Sequence, residues 1–420
     1  MAEYKRKKSH KLPKAHKRRN NGAHSEPSVS QRRNASENTD RSMRVIKGNY
    51  ERKYKAKKFF TGVLCFLVAC AVITAIFPVT LGENIANAFA VMGVGKYPNE
   101  IDGTVTLNAE SKGLYYYVLT DTHIMAFSKN GKEIFSAAHG FSSPVLKTSC
   151  ARALLFDQGS KKVSVYNLLG LKKSFETKAP IINGNICDSG ALAIVTKSES
   201  YASTVTVYSN RFKKVYEWNS AKETVNNVTL SPNGRKIAVS TIDVSLAKFQ
   251  SNVYVLTEKS ADAIFSLNLD EKPVMDMNSY GNGFYVVTED SYRHIRWSNF
   301  TTLNVSATGE VDMMRRSNRG SVLVFNRTND RSDNTIVIVS KRGRKISEFK
   351  VNTIINDIEM SNGHIYCASD SKVTLYNKKG ESIFIGNCGY GCERLAVIGS
   401  HSVAVINDNK IEKLVLEEAR

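Results

Sequence analysis

Asp357 and Glu359 stand two residues apart, as do Asp121 and His123. On a strand, each pair shares one face of the sheet. A pair of carboxylates, or a carboxylate beside an imidazole, is what general acid–base chemistry needs. Neither pair has a third partner at local spacing, and such pairs are common on solvated strand faces. They therefore carry no mechanistic weight. Beyond residue 100 the histidines are His123, His139, His294, His364 and His401, and no two share a metal-ligand spacing. They read as strand or loop residues. The chain has no G-x-x-x-x-G-K-[ST], no G-x-G-x-x-G before a helix, no H-E-x-x-H and no G-x-S-x-G. "NDRSDN" (Asn329 to Asn334) lacks the glycine and glutamate of an EF-hand loop. No catalytic residue, cofactor-binding residue or metal ligand is assigned, and no cofactor is expected.

Seven cysteines follow no metal spacing. Cys65 and Cys70 fall in an apolar run. Cys150, Cys187 and Cys367 fall within strands, where a buried free thiol is the plain reading. Cys388-Gly-Tyr-Gly-Cys392 differs. A disulfide could close this short loop in an oxidising compartment, whereas a metal site would want a second pair, and none exists.

The elements that would position these residues are short strands. In "NVTLSPNGRKIAVST" (Asn227 to Thr241), Val228 and Leu230 alternate with polar residues, a Pro-Asn-Gly turn follows, and Ile237 and Val239 alternate again. That is a β-hairpin. The same punctuation returns at Asn108–Gly113, Asp188–Gly190, Gly281–Gly283, Ser317–Gly320 and Ser361–Gly363. A second set of turns ends in glycine at Gly131, Gly170, Gly309, Gly343 and Gly380, where a hairpin takes a left-handed residue. The unit is thus four strands. Inner strands centre near Thr106, Val145, Ile182, Val228, Met275, Val311, Ile355 and Leu395. Their spacing of roughly 40 residues is the blade length of a β-propeller. The fold class is all-β: a propeller from Ile101 to Arg420, of eight blades rather than seven. The eighth unit lacks its fourth strand, which the segment just before Ile101 would supply.

Charge is uneven. Residues 1–58 hold 19 Lys/Arg against 5 Asp/Glu, a net of +14, which leaves +6 of the total +20 for the rest. This tail has few large apolar residues and reads as disordered. "FFTGVLCFLVACAVITAIF" (Phe59 to Phe77) has nineteen residues and no charge, which is the length and composition of a transmembrane helix. Arg52, Lys53, Lys55, Lys57 and Lys58 precede it, so the positive-inside rule puts the tail in the cytoplasm and the propeller outside. Residues 78–100 read as a juxtamembrane linker. "NAFA" (Asn87 to Ala90) resembles a signal-peptide cleavage site, but the leader before the apolar run is too long for one. The basic tail would meet anionic inner-leaflet lipids, and nucleic acid is not expected as a partner.

The order of basic tail, apolar span and "YPNEIDG", continuing through "LYYYVLTDTHIMAFSKNGKEIFSAAHGFSSPVLKTSCARALLFDQGSKKVSVYN" (Leu114 to Asn167), resembles a DUF5711-like family of uncharacterised single-span envelope proteins of Gram-positive bacteria. "LSPNGRKIAVS" is similar, more generically, to WD40-like and TolB-type propeller hairpins. The resemblance implies the architecture and no activity, substrate or catalytic residue.

These readings make the chain a non-enzymatic, membrane-anchored envelope protein. Its exterior propeller would be an interaction platform for another envelope protein or a wall polymer. "HGFSSP" (His139 to Pro144), with Phe141 among small and polar residues, is the candidate interaction loop. The alternative is a small-ligand-binding or enzymatic propeller that uses its central channel. That alternative needs polar groups converging from several inner strands, which no sequence pattern reveals; the channel is expected to hold no catalytic triad and no metal cluster.

Overall fold

The structure, a computed structural model, describes residues 53–66, 80–149, 151–244, 249–317, 319–327, 331–389 and 391–419. The chain divides into two compact units, residues 1–73 and 74–420.

In the second unit, strands gather into eight separate antiparallel sheets. The first seven blades take their four strands in chain order. Blade 1, for example, is Thr106–Lys112, Tyr115–Thr120, His123–Ser128 and Glu133–Ala138. The burial pattern explains the sequence pattern. Second strands such as "YYYVLT", "ALLFD" and "GFYVV" are buried at every position. They lie between two neighbouring blades, so both faces must be apolar and alternation disappears. Fourth strands such as "GLKKSFE" and "KVYEWNS" lie on the outside of the ring and are largely exposed.

The core is correspondingly divided. Eight hydrophobic clusters occupy the described residues, one at each interface between successive blades, including that between blades 8 and 1. In that last cluster Ala396, Ala404 and Ile411 meet Tyr116, Val118 and Phe127. Each fully buried Ile, Val or Phe side chain contributes ~1.5–3 kcal/mol, and a gap in the ring would forfeit one whole cluster and expose a strand edge.

Closure is made as the missing fourth strand suggests. Asn99–Glu100 pairs with Lys410–Val415, matching Asn99 to Ile411 and Glu100 to Lys410. The N-terminal strand thereby completes blade 8. The C-terminus does something unforeseen: Glu417–Glu418 returns to blade 7 and pairs with its fourth strand at Ile385 and Phe384. Of the glycine turns, Gly131 shows why glycine is required. Its φ is +84°, and a Cβ there would stand 2.6 Å from the Lys96 carbonyl oxygen. Ser306–Gly309 is not a turn within a blade. It connects the fourth strand of blade 5, Thr302–Val305, to the first of blade 6, Glu310–Arg316.

The membrane helix anticipated over Phe59–Phe77 is a correction. Of the described residues in this region, 53–66 are helical. The lysines Lys53, Lys55, Lys57 and Lys58 occupy its first turns, so eight apolar or small residues remain, Phe59 among them, and all are exposed. Among the described residues no helix is long and apolar enough to cross a membrane. Phe77, Arg52 and the basic tail before it lie outside the described residues. The single-pass topology, the cytoplasmic tail with an extracellular propeller and the inner-leaflet lipid partner all depended on that span, and they fall with it.

Candidate functional site: the central channel

The first strand of each blade is the inner one. First strands of neighbouring blades approach one another around the ring, as Ile181–Ile186 approaches Thr224–Leu230 and Asp357–Ser361 approaches Arg394–Gly399. Each pairs with a second strand on one side only and leaves its other edge to the channel. Side chains from these strands form a polar belt. In blades 3 and 4 the belt is neutral. Asn183 donates to the Asn227 side chain at 2.9 Å, and Asn227 donates to the Val274 carbonyl at 3.0 Å.

Elsewhere the belt is charged. Glu110 comes from blade 1, Lys147 from blade 2, Asp276 from blade 5, Arg315 and Arg316 from blade 6, and Asp357 and Glu359 from blade 7. Thr148 donates to Glu110 Oε2 at 2.6 Å. The buried Tyr285 phenol donates to Asp276 Oδ2 at 2.7 Å. Lys147 reaches across from blade 2 to within 3.7 Å of Asp276 Oδ1, yet the two side chains stay 23 % and 40 % exposed. These charges face one another around space that admits water. Arg315 Nη2 donates to Asp357 Oδ1 at 2.8 Å, and the Leu395 N–H donates to Asp357 Oδ2 at 2.9 Å.

The surroundings shift these groups in opposite senses. Burial alone would raise Glu110 and Asp276. For Glu110, Lys112 and Arg316 more than offset it; for Asp276, Lys147 and Arg316 do, and both carboxyls lie below their ordinary range. Glu359 goes the other way, pushed up to about 8 by burial first and by the adjacent Asp357 second. Burial also works against the charge on Arg316, but Tyr285, Glu110 and Asp276 outweigh it and hold the guanidinium firmly protonated.

This convergence of charged groups on the channel is not visible in the sequence. Asp357 and Glu359 do share a face, but it is a buried one, not a solvated one. Motif and spacing single out none of Glu110, Lys147, Asp276, Arg315 and Arg316. Their signal was there: charged residues in strands whose hairpin partners are largely apolar, as in "VDMMRRS" beside "SVLVFN".

Other candidates have structural settings. Asp121 accepts from the Thr104 hydroxyl and backbone N–H, which brings it down to about 2, and its neighbour His123 bonds the Thr122 hydroxyl. Burial lowers His294 to about 4 and keeps it neutral. Burial raises the Cys187 and Cys367 thiols. Cys150 and Cys70 lie outside the described residues, and Cys65 is exposed in the helix of residues 53–66. Phe141 packs against the cluster between blades 1 and 2 and beside the His139 ring. The structure places Cys388 and Cys392 in disulfide contact, their Cα atoms 6.4 Å apart.

The stretch read as a linker contains the helix Thr80–Val91, seated on the turns of blades 1 and 2. Glu83 meets Arg152 through two bonds, 2.6 Å from Nε and 2.9 Å from Nη2, with the side chains 8 % and 1 % exposed. Arg152 also donates to the Asn210 carbonyl at 2.8 Å and lies 5.0 Å from the Phe212 ring centre. Asn87, part of the apparent cleavage motif, is buried and bonds the backbone of Ala151 and Leu168. Lys132 donates to the carbonyls of Ala90 and Met92 at the helix C-terminus, where a cation is favoured.

The profile of a family of unknown function, DUF5711, matches residues 97–416. No curated protein is detectably similar in sequence. Among solved structures, the computationally designed Ika8 protein is similar with a TM-score of 0.55 at 9% identity, over 78% of this chain and 99% of that one. The C-terminal WD40 domain of Sif2 gives 0.52 at 9% identity, over 77% and 100%. BamB from Moraxella catarrhalis gives 0.48 at 10% identity, over 77% and 99%. The first two show the propeller fold and nothing further; the third is too distant to show more.

Proposed function

This chain belongs to DUF5711, a family of unknown function, and for this member we propose a non-enzymatic binding role in which the ring is a rigid scaffold and its channel takes up a small charged ligand. One observation carries the proposal: charged side chains from five blades converge on a space that stays open to water. Pockets of this kind, concave with a few fixed polar groups, are where ligands bind.

Binding is favoured over catalysis by how the groups are held. Glu110, Asp276 and Asp357 are each committed to a protein hydrogen-bond donor. The buried thiols of Cys187 and Cys367 are raised away from the reactive thiolate. Thermal denaturation of the full-length protein against a panel of small charged metabolites tests the proposal. At least one compound should raise the melting temperature and lose that effect in Asp276→Asn. A panel with no such compound, or a compound that the protein converts to product, contradicts it.

A second reading, a platform for a protein partner, is favoured by a different observation. Ile85, Phe89 and Met92, spaced four and three residues apart along and just beyond the helix Thr80–Val91, are 52%, 66% and 63% exposed. If this stripe meets a partner, crosslinking in intact cells should capture one protein reproducibly, and Phe89→Ser should abolish the capture without lowering the melting temperature. Capture unchanged in Phe89→Ser counts against this reading.

A further inference from the structure

Arg316 stands apart from the other charges of the channel. Arg315 is tied to Asp357, and Arg152 at the rim is tied to Glu83. The Arg316 guanidinium makes no hydrogen bond and no ion pair within the protein among the described residues. It lies over the face of Tyr285, with 5.8 Å from Cζ to the ring centre. Stacking leaves the N–H edge of a guanidinium free, and that edge matches the two oxygens of a carboxylate. Tyr285 cannot shift easily, because it is 1% exposed and its hydroxyl is fixed on Asp276.

The groups around Arg316 decide what kind of carboxylate would fit. Glu110 and Asp276 are the carboxylates whose charge acts most strongly on it, and Asp276 is linked to it through Tyr285, which stacks on Arg316 and donates to Asp276; both carboxyls lie below their ordinary range. A bare anion arriving at Arg316 meets their repulsion. A bare cation attracted to them meets Arg316 and Lys147. A molecule carrying both charges a few atoms apart satisfies both sets: its carboxylate lies on Arg316, and its ammonium on Glu110 or Asp276. The weak 3.7 Å contact of Lys147 with Asp276 leaves that carboxylate able to accept a second donor. From this arrangement we infer that the channel is a site for a small zwitterion of the α-amino-acid class, bound through Arg316, Glu110 and Asp276. The inference rests on the reading of the channel as a ligand site and adds the class of ligand.

Isothermal titration calorimetry on the full-length protein with L-alanine, acetate and methylammonium as separate probes tests it. L-Alanine should bind at least about tenfold more tightly than either single-charge probe, because it alone pairs both signs. Arg316→Gln should abolish that binding, Arg316→Lys should restore part of it, and Arg319→Gln, on an exposed turn, should leave it unchanged. Melting curves of the unliganded variants show that each is folded. Failure of L-alanine to bind, acetate binding as tightly, or binding undiminished in a folded Arg316→Gln overturns the inference. If instead a ligand of another class binds and depends on Asp276, the channel remains a binding site and the zwitterion assignment alone falls.

Discussion

The rim and the channel of this propeller both carry arginine beside carboxylates, and they use them differently. At the rim, Arg152 and Glu83 are almost fully buried and joined through two short hydrogen bonds, and the spare Nη1 of Arg152 is taken up by backbone carbonyls. In the channel, Lys147 and Asp276 approach only to 3.7 Å, and Arg316 is left with a ring face. Removing one member of a desolvated pair strands a charge where water cannot reach it. Removing one member of a loosely matched, hydrated set strands nothing. The same residue types therefore fasten a helix in one place and remain available to a ligand in the other.

The comparison breaks first at the rim. Arg152→Ala should destabilise the protein by ~3–5 kcal/mol, since it leaves Glu83 buried beside Lys172 alone. Chemical denaturation of the full-length protein measures this, and a loss below about 1 kcal/mol would mean that the pair is no more than a surface contact.

The second test uses pH. Glu359 is raised to about 8 from an ordinary 4.5, so the folded state keeps a proton that the unfolded chain gives up. Stability from this group is fully present below its unfolded value and is lost as pH rises through the folded value. Asp357, Arg315 and Glu110 are the charged groups acting on it. The melting temperature should fall by several degrees from about pH 5 to about pH 8, and Glu359→Gln should flatten that slope. An identical slope in the variant would place the titration elsewhere. Glu110 and Asp276, lowered in the fold, act in the opposite sense, and their contribution is lost only as pH falls through their depressed values.

The smallest effect should be that of Lys147→Gln. Its one ion pair is long and both partners are partly exposed, so the unliganded protein should lose under about 1 kcal/mol. A loss as large as that of Arg152→Ala would erase the distinction between rim and channel.

The blades were legible because middle strands such as "YYYVLT" and "SVLVFN" are buried on both faces and read as uninterrupted apolar runs between glycine turns. The incomplete eighth unit even pointed to Asn99–Glu100 as its missing strand. Long-range charge pairing left no comparable trace. Glu83 and Arg152 are 69 residues apart, and Arg315 and Asp357 are 42 apart. No local spacing relates such partners; closing the ring does. The helix Thr80–Val91 was read as linker because its fastening residues, Glu83 and Asn87, are polar and bury themselves only against turns of blade 2. Over Phe59–Phe77 apolar composition alone suggested a spanning helix, and among the described residues no helix is long and apolar enough to cross a membrane.

The most direct test sets two arginines side by side: unfolding free energy and L-alanine affinity measured for Arg152→Gln and Arg316→Gln in the same buffer. Arg152→Gln should cost ~3 kcal/mol or more of stability while its folded fraction still binds. Arg316→Gln should cost about 1 kcal/mol or less and bind nothing. An Arg316→Gln protein that is strongly destabilised yet still binds would show that the channel charges hold the ring together, and the account would be wrong.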